Sequence, residues 1–154
     1  MSVYQNEYFI VPKKGEHLLF EGLNLKSFLE DDFFEEDLFW IGQNIELVRL
    51  KPYLLENFGE DESWSDSLKI YGENEGNCIK IITEENAIVS ITFRINFTTD
   101  YGKFITEILE FCKENGFMIV DNELYVLPLD YQAICNNILN SNAFENYKTF
   151  FGQE

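Results

Sequence analysis

The chain has 154 residues, with 28 Asp and Glu against 11 Lys and Arg, so its formal net charge is 11 − 28 = −17 and its pI is about 4.3. Hydrophobic residues make up 45% and aromatics 16%, enough material for one buried core and inconsistent with an intrinsically disordered acidic chain. So negative a chain repels phosphate backbones and anionic lipid headgroups, which counts against nucleic acid and membrane as direct ligands and favours a cationic protein as partner.

In chain order, Glu7 to Val11 and Leu18 to Phe20 read as strands, whereas Glu30 to Asp37 mixes aromatic and acidic residues without a period. Pro52 suits a first helical position and opens a short helix to Phe58. Leu68 to Tyr71 is a strand, followed by the loop Gly72 to Asn77. Cys78 to Thr83 and Ala87 to Phe97 form a hairpin about Glu84-Glu85-Asn86. In its second strand the odd positions are apolar, while Ser90, Thr92, Arg94 and Asn96 are polar. Thr99 or Asp100 caps a helix in which Phe104, Ile105, Ile108, Leu109, Phe111 and Cys112 share a face, and Asn115-Gly116 ends it. Phe117 to Val120 and Glu123 to Leu127 flank Asp121-Asn122 as a second hairpin, which stops at Pro128. Asp130 caps a second helix with Ile134, Ile138 and Leu139 inward, and an aromatic tail of Phe144, Tyr147, Phe150 and Phe151 packs back on the sheet. The expected fold is α+β, a mainly antiparallel sheet with two main helices packed on one face, in a single domain over residues 1–154.

Catalytic and cofactor chemistry finds little support. Cys78, Cys112 and Cys135 are too dispersed for a disulfide framework or a zinc site, and His17 is the only histidine. Asp31/Glu35 and Asp32/Glu36 would share a face of a helix, but they miss the spacing and the glycine of a calcium loop. The nine glycines form no phosphate-binding motif. Arg94 is expected to pair with an acid on the sheet rather than to hold a ligand carboxylate. The reading is a non-enzyme without metal or cofactor. No apolar run approaches the roughly 18 residues of a membrane span, and MSVYQNEYFI lacks the pattern of a secretion signal, so the expected compartment is the cytoplasm.

The acid is concentrated. Between residues 30 and 66 lie Glu30, Asp31, Asp32, Glu35, Glu36, Asp37, Glu46, Glu56, Glu60, Asp61, Glu62 and Asp66, against Arg49 and Lys51, a local net of 2 − 12 = −10. Trp40 follows Glu35-Glu36-Asp37 and Trp64 follows Glu60-Asp61-Glu62, each by a few positions. Charge speeds and orients an encounter, and buried aromatics supply much of the short-range energy. The expected partner-binding residues are therefore Glu30, Asp31, Asp32, Glu35, Glu36, Asp37, Trp40, Glu60, Asp61, Glu62, Trp64 and Asp66, provided the fold gathers them into one patch.

Several features taken together resemble small stand-alone bacterial immunity proteins. These are Phe39-Trp40-Ile41-Gly42, Trp64 ahead of Tyr71-Gly72, the alternating strand around Phe93-Arg94-Ile95, the Phe104 to Asn115 helix, the hairpin ending at Pro128, and the Ser141-Asn142-Ala143-Phe144 and Phe150-Phe151 tail. Such proteins are single-domain cytoplasmic inhibitors made beside polymorphic or contact-dependent toxins. The resemblance implies a non-catalytic inhibitor that binds a toxin domain directly, and the negative charge suits a basic, nuclease-like one. Two other classes compete with it: a small enzyme or ligand-binding domain without a linear motif, and a regulatory module that uses the Phe144 to Phe151 tail as its contact.

Overall fold

The computed structural model describes residues 5–13, 19–28, 36–141, 144–145 and 148–149. Seven strands form one antiparallel sheet: β1 (Gln5–Pro12), β2 (Glu60–Asp61), β3 (Leu68–Gly72), β4 (Cys78–Glu84), β5 (Ala87–Asn96), β6 (Phe117–Val120) and β7 (Val126–Leu127), in the spatial order β2-β3-β4-β5-β1-β6-β7. The helices α1 (Leu47–Asn57), α2 (Gly102–Asn115) and α3 (Tyr131–Leu139) accompany it among the described residues, so the fold is α+β.

Register explains the main core. Tyr71, Ile79, Phe93 and Tyr8 face one another across β3, β4, β5 and β1. One row along, Ile81, Ile91, Ile10, Ile119 and Leu127 run from β4 to β7. These rows share a cluster with Leu50 and Leu54 of α1, Ile105, Ile108 and Phe111 of α2, and Ile134 and Ile138 of α3. Burial at about 25 cal/mol per Å² of apolar surface is what holds these helices to that face. On the opposite face, Val11, Met118, Val120 and Val126 pack with Leu19, Leu25 and Leu124 in a smaller cluster. Phe144 closes edge-on against Phe97 and joins the main core, whereas Tyr147, Phe150 and Phe151 lie outside the described residues.

A buried polar chain joins the last helix to the sheet. Asn122 donates to Asn6 at 3.1 Å, Asn6 to the Tyr8 hydroxyl at 3.0 Å, and that hydroxyl to Asn137 of α3 at 2.9 Å. Asn137 in turn donates to Asp121 at 3.0 Å, and the other Asp121 oxygen accepts from the backbone N–H groups of Glu123 and Tyr125. Burial keeps the Tyr8 hydroxyl far above its usual titration range, so the chain stays fixed with neutral tyrosine.

Several elements depart from the pattern read in the sequence. Leu19 and Phe20 are not a strand; Leu19 is buried beneath the sheet as an irregular segment, and Leu18 is outside the described residues. The helix read as opening at Pro52 starts at Leu47. Proline is tolerated inside it because the unpaired carbonyl falls at Val48, on the solvent side of the helix where water can take it. Neither Thr99 nor Asp100 occupies the α2 cap position, which belongs to Tyr101; Asp100 accepts from Gly102 N–H at 3.2 Å instead. The Asp121 loop runs from Asp121 to Tyr125 rather than over two residues, because the Asp121 carboxylate gathers two backbone donors beyond it. In β5, a bulge opposite Ile82/Thr83 flips the alternation, so Ile88 is buried and Ala87 and Val89 are only half-buried. The Glu85-Asn86 turn has positive φ at both residues, the geometry of a tight two-residue hairpin.

Candidate functional site

The second acidic cluster is a built surface. β2 is the edge strand, and the chain leaves it through a loop that returns to β3. Asp61 organises the start of that loop: one carboxylate oxygen accepts from Glu62 N–H at 2.8 Å and the other from Asn74 N–H at 2.9 Å. These two backbone donors hold the Asp61 carboxyl below its usual range, so it stays ionised. Serines spaced by two stiffen the rest. Ser65 N–H donates to the Ser63 hydroxyl at 3.2 Å, Ser67 N–H to the Ser65 hydroxyl at 3.3 Å, and Ser67 carbonyl accepts from Thr83 N–H at 2.9 Å. Trp64 sits at the crest of this loop, 88% exposed. Glu60, Asp61, Glu62 and Asp66, its neighbours in sequence, are also exposed, and none of the four has an ion pair among the described residues.

The first cluster is arranged otherwise. Glu30, Asp31, Asp32 and Glu35 lie outside the described residues, as does His17. Glu36 opens a 3-10 turn, Glu36–Phe39, and its carboxylate accepts from the Ser90 hydroxyl on β5 at 2.6 Å while its other oxygen is buried without a partner. Burial, opposed by the Ser90 bond and reinforced by the nearby Glu7 and Asp37 carboxylates, raises the Glu36 pKa. Asp37 is exposed. Trp40 is not a surface anchor: it is 2% exposed and sits edge-on against Phe117 with ring centroids 5.1 Å apart, because the turn aims it into the main core. Of the expected contact residues, the fold therefore brings Glu60, Asp61, Glu62 and Asp66 around one depression shared with Lys69, leaves Trp64 exposed on the same loop, and separates them from Glu36 and Trp40.

Distance settles how the clusters interact. Glu36 rests on β5, three strands from β2. At about 4.8 Å per strand that is about 14 Å, beyond the Debye length of about 8 Å at physiological salt. Glu36 and the carboxylates of β2 therefore do not act as one field.

No family model, curated protein or solved structure matches the chain. The site rests on its own geometry. Among the described residues no group of histidine, cysteine and carboxylate side chains could hold a metal ion, and no helix is long and apolar enough to cross a membrane. Cys78 and Cys112 are fully buried free thiols whose pKa burial raises, although Arg94 and Lys80 offset part of the effect at Cys78. Among the described residues Arg94 has no acid paired with it. Glu7 stands opposite it in register, yet the guanidinium has no salt bridge among the described residues and its Nε is buried without a hydrogen-bond partner.

Proposed function

We propose that this chain is a non-catalytic acidic binding protein of the immunity type, which inhibits a basic, nuclease-like toxin domain by covering its cationic surface. The observation that carries the reading is Trp64, a large aromatic left in water on a hydrogen-bonded loop whose neighbouring carboxylates, Glu60, Asp61, Glu62 and Asp66, are exposed and have no ion pair among the described residues. A solvated acidic face needs no tryptophan, and a packing tryptophan needs no acidic neighbours; a surface for a cationic partner uses both. Carboxylates steer the approach, and the indole then buries against aliphatic stems or stacks on a guanidinium. The net charge of −17 and the resemblance to immunity proteins favour a basic toxin over other cationic partners.

The test is stopped-flow association with a purified basic toxin domain encoded beside this gene, at about 50 mM and about 500 mM salt. Association is expected to slow at least about tenfold at high salt, with Glu60→Lys and Glu62→Lys lowering the on-rate and Trp64→Ala mainly raising the off-rate. Inhibition of the domain's nuclease activity by one equivalent completes the expectation. An on-rate indifferent to both salt and charge reversal overturns it.

A further inference from the structure

Among the described residues, the buried side-chain atoms without a hydrogen-bond partner are Glu36 Oε2, Trp40 Nε1, the Tyr71 hydroxyl and Arg94 Nε. The first two belong to one stretch of chain, the 3-10 turn Glu36–Phe39 and the residue that follows it. A buried polar atom with no partner has lost its water and gained no bond, and such an atom in a folded protein calls for a reason. This stretch is therefore closed against two costs that any outward movement would relieve.

Two anchors oppose that movement. At the start, the Ser90 hydroxyl of β5 donates to Glu36 Oε1 at 2.6 Å; at the end, the Trp40 ring is seated against Phe117. The backbone bonds between them are local, from Trp40 and Ile41 N–H to Asp37 C=O and from Gln43 N–H to Trp40 C=O, so they travel with the segment. Phe39 adds a contact to the smaller cluster, whereas Leu38 and Ile41 already stand in water. Beyond Gln43 the chain is fixed again, because Ile45 C=O accepts from Ile88 N–H of β5 at 2.8 Å. Between the seated ring and that fixed point, Gly42 and Asn44 have φ of 82° and 53°, and a Cβ at Gly42 would meet nothing within 4 Å. Open space and residues tolerant of either sign of φ are what a hinge requires.

The groups around Glu36 make this closure sensitive to acid. The turn packs on β1 and β5. Glu7 of β1 and Asp37 of the turn itself act on Glu36 as like charges, and β5 presents the neutral Ser90. Arg94, further along the same face of β5, stands opposite Glu7 and forms no ion pair among the described residues. Burial raises the Glu36 pKa, the Ser90 bond opposes this, and the two carboxylates reinforce it. The protonated carboxyl thus favours the closed turn; that preference is complete below the ordinary carboxylate range and is lost as pH rises through the raised value.

We propose that Glu36 and Ser90 form a pH-sensitive latch. With its proton, Glu36 rests on β5 and keeps Trp40 in the core. Once the proton has passed to water, residues 36–43 open more readily about Gly42 and Asn44 and bring Trp40 out beside Leu38 and Ile41. Near neutral pH the chain then presents a second tryptophan-bearing apolar surface that acid withdraws. The latch is independent of the Trp64 loop and of any partner.

The experiment follows hydrogen exchange at the Trp40 indole N–H of the intact protein by NMR, at about pH 5 and about pH 8, corrected for the intrinsic chemical rate. That N–H has no acceptor, so only its seat in the core protects it. The Phe93 amide, at the centre of the sheet, reports global unfolding. The opening constant at Trp40 is expected to rise about fivefold between the two pH values, the scale of one buried unsatisfied acceptor, and to exceed that of Phe93 at the higher one. Glu36→Gln should remove the rise, and Ser90→Ala should add to the opening at the higher pH. An undiminished rise in Glu36→Gln overturns the latch, and so does a single opening constant shared by Trp40 and Phe93 at both pH values in the unmutated protein.

Discussion

The chain twice sets a tryptophan close to a run of carboxylates, and the fold treats the two copies in opposite ways. At Glu36 and Trp40, a short 3-10 turn lies on the sheet, so the indole enters the core against Phe117 and one carboxylate is pulled partly out of water toward Ser90. At Asp61 and Trp64, the chain has just left an edge strand and has nothing to pack against on its outer side; the carboxylate bonds its own loop and the indole stays in water. The difference is one of address within the sheet rather than of local composition. An acid-aromatic cluster over central strands is a core element with a carboxylate cost, and the same cluster at an edge is an exposed feature.

The sharpest way to break this comparison is to truncate both rings. Trp40→Ala should destabilise the protein by about 3–5 kcal/mol, as for a large core side chain, and Trp64→Ala by no more than about 0.5 kcal/mol, as for a surface site; urea denaturation measures both. Comparable losses would remove the distinction. A smaller effect is expected at Glu36. Its pKa is raised in the folded state, so protonation favours the fold: the stabilisation is complete below the ordinary carboxylate range and is lost as pH rises through the folded value. Glu36→Gln should therefore gain about 1 kcal/mol at neutral pH, the scale of a relieved buried acceptor, and the gain should vanish in acid. The smallest effect is spectroscopic. In a Trp40→Phe background, caesium should quench Trp64 more strongly than iodide does, and added salt should erase the difference as the carboxylates are screened.

Much of the fold was legible because it is local. The period of two in β5, the 3.6-residue spacing of Phe104 to Cys112 and the Asp130 cap each announce an element within a dozen residues, and Asp130 does accept from Ala133 N–H at 3.0 Å. What was not legible depends on partners far along the chain. The burial of Trp40 needs Phe117, and the fate of Glu36 needs Ser90, 54 positions away. The polar chain from Asn6 to Asn137 joins residues that look like ordinary surface amides until α3 is placed over β1. The bulge that reverses β5 leaves no mark of its own on the alternation of apolar and polar residues. At the candidate site the acids of residues 60–66 could be read, but the bond from Asn74 N–H that fixes the Asp61 carboxylate, 13 positions away, could not.

The sheet ends on one side in a strand of only two residues, and both are acidic. An open edge is where sheets recruit further strands, and short, charged edge strands are a known safeguard against that. Two copies of this molecule brought edge to edge would set Glu60 and Asp61 against their own counterparts, and the like charges would part them. That border is therefore poorly suited to pairing with a second copy of itself.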